Sequence, residues 1–535
     1  MDGESVSINV GILGHVDCGK TTLARSISNI ASTASFDKHA KAQNLRANTI
    51  DLGFSSLRID NYTIALIDCP GHASLISAVL CASSVFDMAI IVVDAQKGVQ
   101  AQTAEHLLLV SILCPQHAIV VINKIDLITA QQLNSLRKQL IKILKYFSIS
   151  ENSPIVCISL LEDDVVKSSE TIIDALRRQL YRPKRYSTSN QFVMSVDHCF
   201  PVRGKGTVMT GTIIDGSCRF IFIFIYPFRH PLFSPSCYSA FITEFTPYSA
   251  LIRFGLLQPQ KQSCSIGMEI EIAALKVKRR IKGIQRWKED VQRASMGERV
   301  GLLFQDLNAK HLDRTVIFQP GALESVQCVL ANITKISHFK AKLLDRAKVH
   351  LSVGFETVMA TCHFLVKHDE EFEQMADLDE RVTMVLLVLD RSIWAIRGSF
   401  YLATKLDMQQ KGCRFAFYGT FDRFTTNINA LRRFHRKHRS GLVERLEGDN
   451  MTLICALLFS KNSDISVFID MKVVLSTGDI GLIEASFGKS GKVRIRIPQG
   501  VSEKTVSALK AGEKVNVELW MKKYLNEDKL LCYVP

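Results

Sequence analysis

Four short motifs in this chain combine residue types and spacings that suit a phosphate-containing ligand. The first is a complete G-x-x-x-x-G-K-[ST] loop, formed by Gly14, His15, Val16, Asp17, Cys18, Gly19, Lys20 and Thr21. It lies between an apolar run at 8–13 that predicts a strand and a stretch at 22–30 that predicts a helix. Backbone N–H groups and the helix dipole would hold the phosphates there, with Lys20 at the β- and γ-phosphates, Thr21 on Mg²⁺ and Thr22 nearby.

A second motif reports on the third phosphate. Alternating segments at 54–59 and 63–67 predict a hairpin, and the second leads directly into Asp68-Cys69-Pro70-Gly71-His72. In a D-x-x-G element at a strand end, Asp68 would hold a Mg²⁺-bound water and the Gly71 amide would face the γ-phosphate. Because hydrolysis removes that contact, the loop acts as an order–disorder switch.

The remaining two motifs choose the base. Asn123-Lys124-Ile125-Asp126 ends an apolar strand at 118–122, and the Asp126 carboxylate can accept two hydrogen bonds that guanine offers and adenine does not. Ser159 and Leu160, after a short apolar strand at 155–158, would add a backbone contact to the guanine oxygen. The sequence therefore predicts GTP and GDP as ligands rather than ATP.

The elements around these motifs predict a multidomain protein with an α/β P-loop GTPase domain followed by β-barrel domains. Strands alternate with helices up to about residue 182, and short alternating segments with glycine turns follow from residue 191. The expected division is a GTPase domain at 1–182, barrels at 190–323 and 324–460, and a small β-rich domain at 461–535.

Composition points to a polyanionic partner. The 535 residues include 66 Lys plus Arg against 52 Asp plus Glu, a net charge of +14. The basic runs 276–282, 432–439 and 489–496 are candidates for phosphate contact. The 14 cysteines form no C-x-x-C pair, and no apolar stretch is long enough to span a bilayer, so we expect a cytoplasmic protein without a signal peptide or a membrane contact.

The motifs together resemble the translational GTPases of the elongation factor Tu class. Closer still, segments 31–38, 51–55, 194–200 and 206–212 are similar to the eukaryotic selenocysteine-specific elongation factors, and the likeness continues through 353–359, 441–445 and 475–478. It spans nearly the whole chain. The resemblance implies a GTPase that delivers selenocysteinyl-tRNA to ribosomes at recoded UGA codons. It also implies a link to the selenocysteine insertion element of the mRNA through that element's binding protein, and we expect a monomer.

The same resemblance assigns further residues. Thr49 falls where the switch threonine binds Mg²⁺, and His72 falls where a histidine positions the attacking water. Asp197, His198 and Arg299 fall where the family lines its selenocysteine pocket. A selenol ionises more readily than a thiol or a hydroxyl, so a cationic pocket would favour it over serine.

One departure from the family leaves an alternative open. The switch usually reads R-G-I-T, whereas this chain has Arg46-Ala47-Asn48-Thr49. A non-hydrolysing, GTP-gated binding module is therefore one alternative. An initiator-tRNA carrier resembling the gamma subunit of initiation factor 2 is another, although it should lack the fourth domain and the three pocket residues.

Residues 218–263 do not fit the family pattern, in which a short turn is expected. The segment is rich in Phe, Pro and Ser and contains a strongly β-prone stretch at 220–226. A lineage-specific loop and a translated intron both remain open, and the exposed aggregation hazard favours the intron.

The base-selecting role of Asp126 predicts a change of nucleotide. Asp126→Asn replaces an acceptor with an amide that can donate, so preference should move from GTP to XTP, whose base has an oxygen where guanine has its amine. Equilibrium binding of both nucleotides to the purified chain measures this. Undiminished GTP affinity in the variant would contradict the assignment.

Overall fold

A computed structural model of the protein describes residues 5–31, 51–161, 165–185, 191–214, 263–308, 312, 314–354, 356–407, 412–488, 490–525 and 530–532. Thr49, the altered switch residues Ala47 and Asn48, and nearly all of the insertion 218–263 lie outside the described residues. Among the described residues, no helix combines the length and the apolarity needed to cross a membrane.

The nucleotide unit, which is the described chain up to residue 185, is an α/β sandwich. Its strands are β1 Val6–Gly14, β2 Ile30–Ala31, β3 Gly53–Ile59, β4 Tyr62–Asp68, β5 Met88–Asp94, β6 Ala118–Asn123 and β7 Ile155–Cys157. Its helices are α1 Lys20–Ile27, α2 Ile76–Ser83, α3 Ala101–Leu113, α4 Ala130–Tyr146 and α5 Val165–Gln179. Single 3₁₀ turns occupy Ala73–Leu75 and Ile125–Leu127.

The sheet of the nucleotide unit places the motifs at one edge. Its order is β2-β3-β4-β1-β5-β6-β7, with β4, β1, β5, β6 and β7 parallel. The carboxyl ends of parallel strands meet on one side of a sheet, so the loops after β1, β4 and β6 converge there. The predicted hairpin is confirmed, since β3 and β4 are antiparallel and Asp60 has the positive φ of 52° that a tight turn needs.

The helices cover the sheet with the faces that their sequences predict. In α4, Leu136, Leu140 and Leu144 are buried at helical spacing. The helix begins with a capping box in which the Thr129 side chain accepts from the Gln132 amide and the Gln132 side chain accepts from Thr129. The apolar residues of the two sheet faces form separate cores.

The barrel unit follows, from residue 191 to residue 318. Its strands are β8 Val193–Val202, β9 Gly206–Ile213, β10 Ser263–Ser265, β11 Glu269–Ile272, β12 Val277–Arg280, β13 Gly283–Arg286, β14 Glu289–Val291, β15 Arg293–Ser295, β16 Arg299–Phe304 and β17 Thr315–Phe318. The main sheet has the order β12-β11-β17-β8-β9-β16-β13-β14, and β10 pairs with β15. One buried apolar core fills its interior.

The C-terminal half forms one extended antiparallel-rich sheet system. Its strands are β18 Glu324–Asn332, β19 Thr334–Lys335, β20 Lys348–Val353, β21 Glu356–His368, β22 Glu371–Gln374, β23 Met384–Ala395, β24 Phe400–Thr404, β25 Phe415–Thr425, β26 Arg433–Leu446, β27 Thr452–Ala456, β28 Lys472–Leu475, β29 Ile480–Phe487, β30 Lys492–Arg496, β31 Asn516–Tyr524 and β32 Leu530–Cys532. Helix α6 spans Glu503–Lys510, and 3₁₀ turns occupy Ile428–Ala430 and Ser466–Phe468.

The two largest apolar cores of this half are separate from each other. One includes Val329, Phe364 and Phe417, and the other includes Val443, Leu453 and Cys455 together with strands β28 to β31. The expected boundary at residue 461 would cut the second core, because β26 and β27 pack inside it. We therefore propose that the last unit begins near β26, and we call the two parts the third unit and the last unit.

The nucleotide unit and the third unit share apolar and ionic contacts. Ile336, Leu402 and Phe415 of the third unit pack into one core of the nucleotide unit. Arg414 donates from Nε and Nη2 to the two carboxylate oxygens of Glu105 on α3, at 2.7 and 2.6 Å. A bidentate pair of this kind fixes the orientation of α3 against the third unit.

Candidate nucleotide site and adjoining arginine pocket

The phosphate loop has a backbone that glycine makes possible. Gly14, Asp17 and Gly19 have φ values of 145°, 60° and 98°. A Cβ on Gly14 would lie 2.3 Å from the carbonyl oxygen of Val92, and one on Gly19 would lie 2.3 Å from Asn123 Nδ2. The loop can therefore keep its curvature only with glycine at these two positions.

The base-selecting motif also braces this loop. Asn123 Nδ2 donates to the Cys18 carbonyl at 2.9 Å, and Lys124 Nζ donates to the Asp17 carbonyl at 2.7 Å. Lys124 Nζ also lies 2.7 Å from Asp94 Oδ2. Burial alone would raise the pKa of Asp94, but the bond from Lys124 and the amides of residues 96 and 97 hold it below its usual value.

Lys20 and Gly71 bring the first two motifs into contact. Lys20 is 6% exposed and donates from Nζ to the His15 carbonyl at 2.7 Å. A Cβ on Gly71 would lie 2.4 Å from that Nζ and 2.8 Å from the Val16 amide nitrogen. The D-x-x-G loop thus packs directly on the phosphate loop.

Thr21 and Asp68 form a site that suits a small hard cation. Thr21 Oγ1 donates to Asp68 Oδ2 at 2.6 Å, while Asp68 Oδ1 is buried without a hydrogen-bond partner among the described residues. Burial raises the pKa of Asp68 to about 6. A divalent cation with oxygen ligands would relieve this cost, so the residues present fit Mg²⁺.

Asp126 is held in place from behind. The Ser159 hydroxyl donates to Asp126 Oδ1 at 2.7 Å, and the Ser168 hydroxyl on α5 donates to the Ser159 carbonyl at 2.6 Å. This arrangement leaves the exposed Asp126 directed to the cavity with its carboxylate orientation fixed.

His72 caps the 3₁₀ turn that follows β4. Its Nδ1 accepts from the Ser74 amide at 3.3 Å and lies 2.8 Å from the Ser74 hydroxyl. Because Nδ1 accepts, a neutral ring carries its proton on Nε2. The exposed ring lines the same cavity as the phosphate loop.

These elements enclose a cavity of about 660 Å³, within the roughly 300–1,000 Å³ usual for ligand pockets. Of the residues that the sequence singled out, the lining includes Val16, Asp17, Gly19, Lys20, Thr21, Thr22, Gly71, His72, Asn123, Lys124, Asp126, Ser159 and Leu160. Gly14, His15, Cys18 and Asp68 lie behind the lining rather than in it.

A second group of predicted residues meets in the barrel unit. Arg299 Nη2 lies 2.5 Å from Asp197 Oδ2, with side-chain exposures of 8% and 2%. Asp197 Oδ1 accepts from the His198 amide at 3.0 Å and from the Thr210 hydroxyl at 3.1 Å. Burial lowers the pKa of the Arg299 guanidinium, although Asp197 acts in the opposite direction.

The nucleotide unit covers this arginine. Arg299 Cζ lies 3.3 Å from the ring centroid of Phe54 on β3, and the His198 ring meets the same ring edge-on at 6.0 Å. Asp51, just before β3, lies 3.8 Å from His198 Nδ1 and 3.1 Å from Arg314 Nη2. His198 Nε2 is buried without a hydrogen-bond partner in the described part of the chain.

Comparison with known proteins identifies the domains of this chain. A family model for the elongation factor Tu GTP binding domain matches residues 5–201. The models for the eukaryotic selenocysteine-specific elongation factor third domain and for the eEFSec C-terminal RIFT domain match 330–385 and 429–529. The mouse selenocysteine-specific elongation factor is 30% identical over 582 residues, covering 95% of this chain and 91% of the mouse protein.

The chain belongs to the selenocysteine-specific elongation factor family. A relative from Methanocaldococcus jannaschii is 29% identical and covers 78% of this chain and 80% of its own. The solved structure of Methanococcus maripaludis SelB with the GTP analogue GppNHp superimposes with a TM-score of 0.72 at 26% identity, covering 98% of this chain and 99% of that one. The apo form of the same protein gives 0.70. The expected fold class, a GTPase domain followed by β-barrels, is confirmed.

In the basic run 432–439, three arginines bind side chains of the neighbouring strand β22. Arg432 Nη1 lies 2.9 Å from Glu371, and Arg436 Nη2 lies 3.2 Å from Glu373. Arg433 is 5% exposed and donates to Gln374 Oε1 at 2.6 Å. The expected phosphate contact of run 432–439 stays a prediction, but these arginines join β22 of the third unit to β26 of the last.

Three functional neighbours could not be singled out from the sequence: Lys97, Asp94 and His106. Lys97 lines the cavity. His106 on α3 is 2% exposed, and its Nδ1 accepts from the Gly14 amide at 3.0 Å. Its position in a largely buried, apolar helix carried no signal that distinguished it from a core histidine.

His106 should make stability depend on pH. Burial lowers its pKa to about 3, whereas an unfolded histidine titrates near 6.5. Its contribution is therefore complete above pH 6.5 and is lost as the pH falls towards 3, at up to about 1.4 kcal/mol per pH unit. His106→Gln, which keeps an acceptor for Gly14, should lose stability less steeply between pH 6.5 and 5. Urea unfolding of both proteins measures the difference, and equal slopes would contradict the burial argument.

Proposed function

We propose that this chain binds GTP with Mg²⁺, carries selenocysteinyl-tRNA to ribosomes at recoded UGA codons and hydrolyses GTP on decoding. The observation that carries the proposal is a buried Arg299 beside Asp197 and His198, placed against a strand that leaves the switch region. A nucleotide site alone fits many carriers. A buried arginine pocket that packs against Phe54 of the nucleotide unit favours a cargo with an anionic side chain.

Charge supplies the proposed selectivity. A selenolate would approach a guanidinium that is withdrawn from water, where electrostatic attraction is stronger than at the surface. Asp197 already partners Arg299, which keeps the buried cation compensated while no substrate is present. The unpartnered Nε2 of His198 offers a further polar contact. A serine hydroxyl is neutral and would gain little from either group.

Phe54 and Asp51 couple this pocket to the nucleotide. Both residues lie between Thr49, the proposed switch ligand of Mg²⁺, and β4, which ends at Asp68. A change at the third phosphate would reach them through a few residues of backbone. GTP would thus favour the cargo-binding arrangement, and hydrolysis would release the aminoacyl end.

Each nucleotide contact has a proposed holder. Thr21, Thr49 and Asp68 (through a water) would hold Mg²⁺, which neutralises charge on the β- and γ-phosphates. Lys20 and the loop amides bind phosphate oxygens, and Asp126 binds the guanine edge. His72 would turn from Ser74 to orient the attacking water, a step that we expect the ribosome to promote.

We propose that the last unit contacts the remaining partner. The unit's match to the C-terminal domain of eEFSec supports a link, through a binding protein, to the selenocysteine insertion element of the mRNA. We propose that the chain acts as a monomer in the cytoplasm.

Arg299→Ala tests the cargo assignment. Without the cation, the affinities for selenocysteinyl- and seryl-tRNA should converge, and a lost charge-assisted contact corresponds to roughly a tenfold or larger loss of discrimination. Equilibrium binding of both tRNAs to the GTP-loaded chain measures the ratio. Arg293→Ala, at an exposed residue on β15 of the same unit and outside the basic runs, is the matched control. Discrimination that survives in Arg299→Ala would remove the pocket from the proposal.

His72→Ala tests hydrolysis separately from binding. The variant should bind GTP like the unaltered chain but should lose about 10²-fold or more in ribosome-stimulated single-turnover hydrolysis, because a transition-state contact is removed. No ribosomal stimulation of the unaltered chain, together with an unchanged rate in the variant, would favour the non-hydrolysing module.

A further inference from the structure

A buried polar junction lies directly beneath the turn that carries Arg299. Asp87, immediately before β5, is 4% exposed, and its Oδ2 accepts from the Asn9 amide at 2.8 Å and from Arg185 Nη2 at 2.7 Å. Arg185 Nη2 also donates to the Ser7 carbonyl at 2.9 Å. The junction therefore ties β1, the start of β5 and the linker between units into one hydrogen-bonded group.

Asn9 extends this group into the barrel unit. It is fully buried, and its Nδ2 donates to Asp87 Oδ2 at 3.2 Å and to the carbonyl oxygen of Gly297 at 3.1 Å. Gly297 stands two residues before Arg299. A side chain of the strand that leads into the phosphate loop thus binds the backbone next to the pocket arginine.

The turn itself is fitted to the junction. Gly297 has φ 82°, and a Cβ there would lie 2.1 Å from Arg185 Cζ, so the guanidinium packs flat against the glycine. The Gly297 amide donates to the Ile213 carbonyl at 2.8 Å, and the Ile213 amide donates to the Glu298 carbonyl at 3.1 Å. Glycine at position 297 allows both the close approach of the Arg185 guanidinium and the pairing of the turn with β9.

Glu298 connects Gly297 to Arg299 and is itself held in place. It is 8% exposed, and its carboxylate accepts from Arg286 Nη1 at 2.7 Å and from the Ser295 amide at 2.7 Å. The turn is therefore rigid from Ser295 to the first residue of β16. A shift of Gly297 would reach Arg299 through two peptide units, and the bonds made by Glu298 leave these units little freedom to absorb it.

We propose that Asn9, Asp87 and Arg185 are positioning residues for Arg299, so that selectivity for the charged aminoacyl group depends on this buried junction. The inference rests on the proposed function. The Arg299–Asp197 pair and the stack on Phe54 are short contacts, and sites of this kind lose performance when their support is about 1 Å too loose. A junction that merely docked two units would act on both tRNAs alike.

Asn9→Ala removes the bond to Gly297 while the Asn9 backbone amide still binds Asp87. Affinities of the full GTP-loaded chain for selenocysteinyl- and seryl-tRNA give the discrimination ratio. Thr357→Val is the matched control, because Thr357 makes a polar contact across another unit boundary, 3.8 Å from Cys81. Asn9→Ala should lower the ratio about fivefold, the usual worth of one hydrogen bond, with GTP affinity preserved and the urea midpoint lowered, because two buried hydrogen bonds are lost. Thr357→Val should leave the ratio unchanged.

The outcomes distinguish the junction from the pocket that it supports. If Arg299→Ala lowers the ratio and Asn9→Ala does not, the junction has no positioning role and the proposed function stands. Equal weakening towards both tRNAs in Asn9→Ala would likewise remove the positioning role. If the unaltered chain does not discriminate, the proposed function falls and the junction with it. Should Asn9→Ala not fold, Gly297→Ala, which pushes Arg185 from the other side, must lower the ratio by at least as much; an unchanged ratio would overturn the inference.

Discussion

The nucleotide site depends on a loop that presents its backbone amides to a ligand. Such a loop cannot form all of its remaining backbone hydrogen bonds within itself. Gly14, Asp17 and Gly19 adopt backbone angles that place N–H groups inwards, which leaves the carbonyls and the flanking amides to be bonded from outside. Asn123, Lys124 and His106 do this from two different elements. Base selection and phosphate binding are consequently parts of a single braced structure, and neither motif could move far without the other.

The pocket in the barrel unit follows the same rule of support from outside. Arg299 is buried, and a buried cation is tolerated only when its charge is compensated and its geometry is fixed. Asp197 compensates the charge from within the barrel unit. The nucleotide unit contributes Phe54, which packs on Arg299, and Asn9, which binds the turn before Arg299. Placing the cation at a boundary between units makes its environment depend on how those units meet. Selectivity and nucleotide state can then be linked without a dedicated relay.

The sequence was sufficient to predict the arrangement of motifs whose residues are contiguous in the chain. The phosphate loop, Asp68 with Gly71, and the run Asn123 to Asp126 are contiguous, and each follows an apolar strand whose end fixes its direction, so their meeting at one sheet edge could be foreseen. The β3–β4 hairpin was foreseen for the same reason, since alternating periodicity and turn residues are local. The Asp197, His198 and Arg299 set came from family resemblance rather than from any local pattern.

Long-range partners account for what sequence could not provide. His106 differs from an ordinary core histidine only because Gly14 lies above it, and Arg185 differs from an ordinary linker arginine only because Asp87 and Gly297 flank it. The sequence predicts a last unit from residue 461, whereas we propose a start near β26. That strand reads as a basic, exposed run in the sequence, because the acids that pair with it, Glu371 and Glu373, lie about sixty positions earlier. A charged residue that forms an ion pair with a distant part of the chain cannot be distinguished in the sequence from an unpaired one.

The seam between β22 and β26 has a consequence for how the last unit can be attached. It combines parallel pairing of the two strands with arginines on carboxylates, whereas the nucleotide and third units share an apolar core. Any polyanion that engages Arg432 or Arg436 must compete with Glu371 and Glu373 for the same guanidinium groups. Nucleic acid arriving at this edge would exchange one set of acidic partners for another, while the backbone pairing of the two strands would remain.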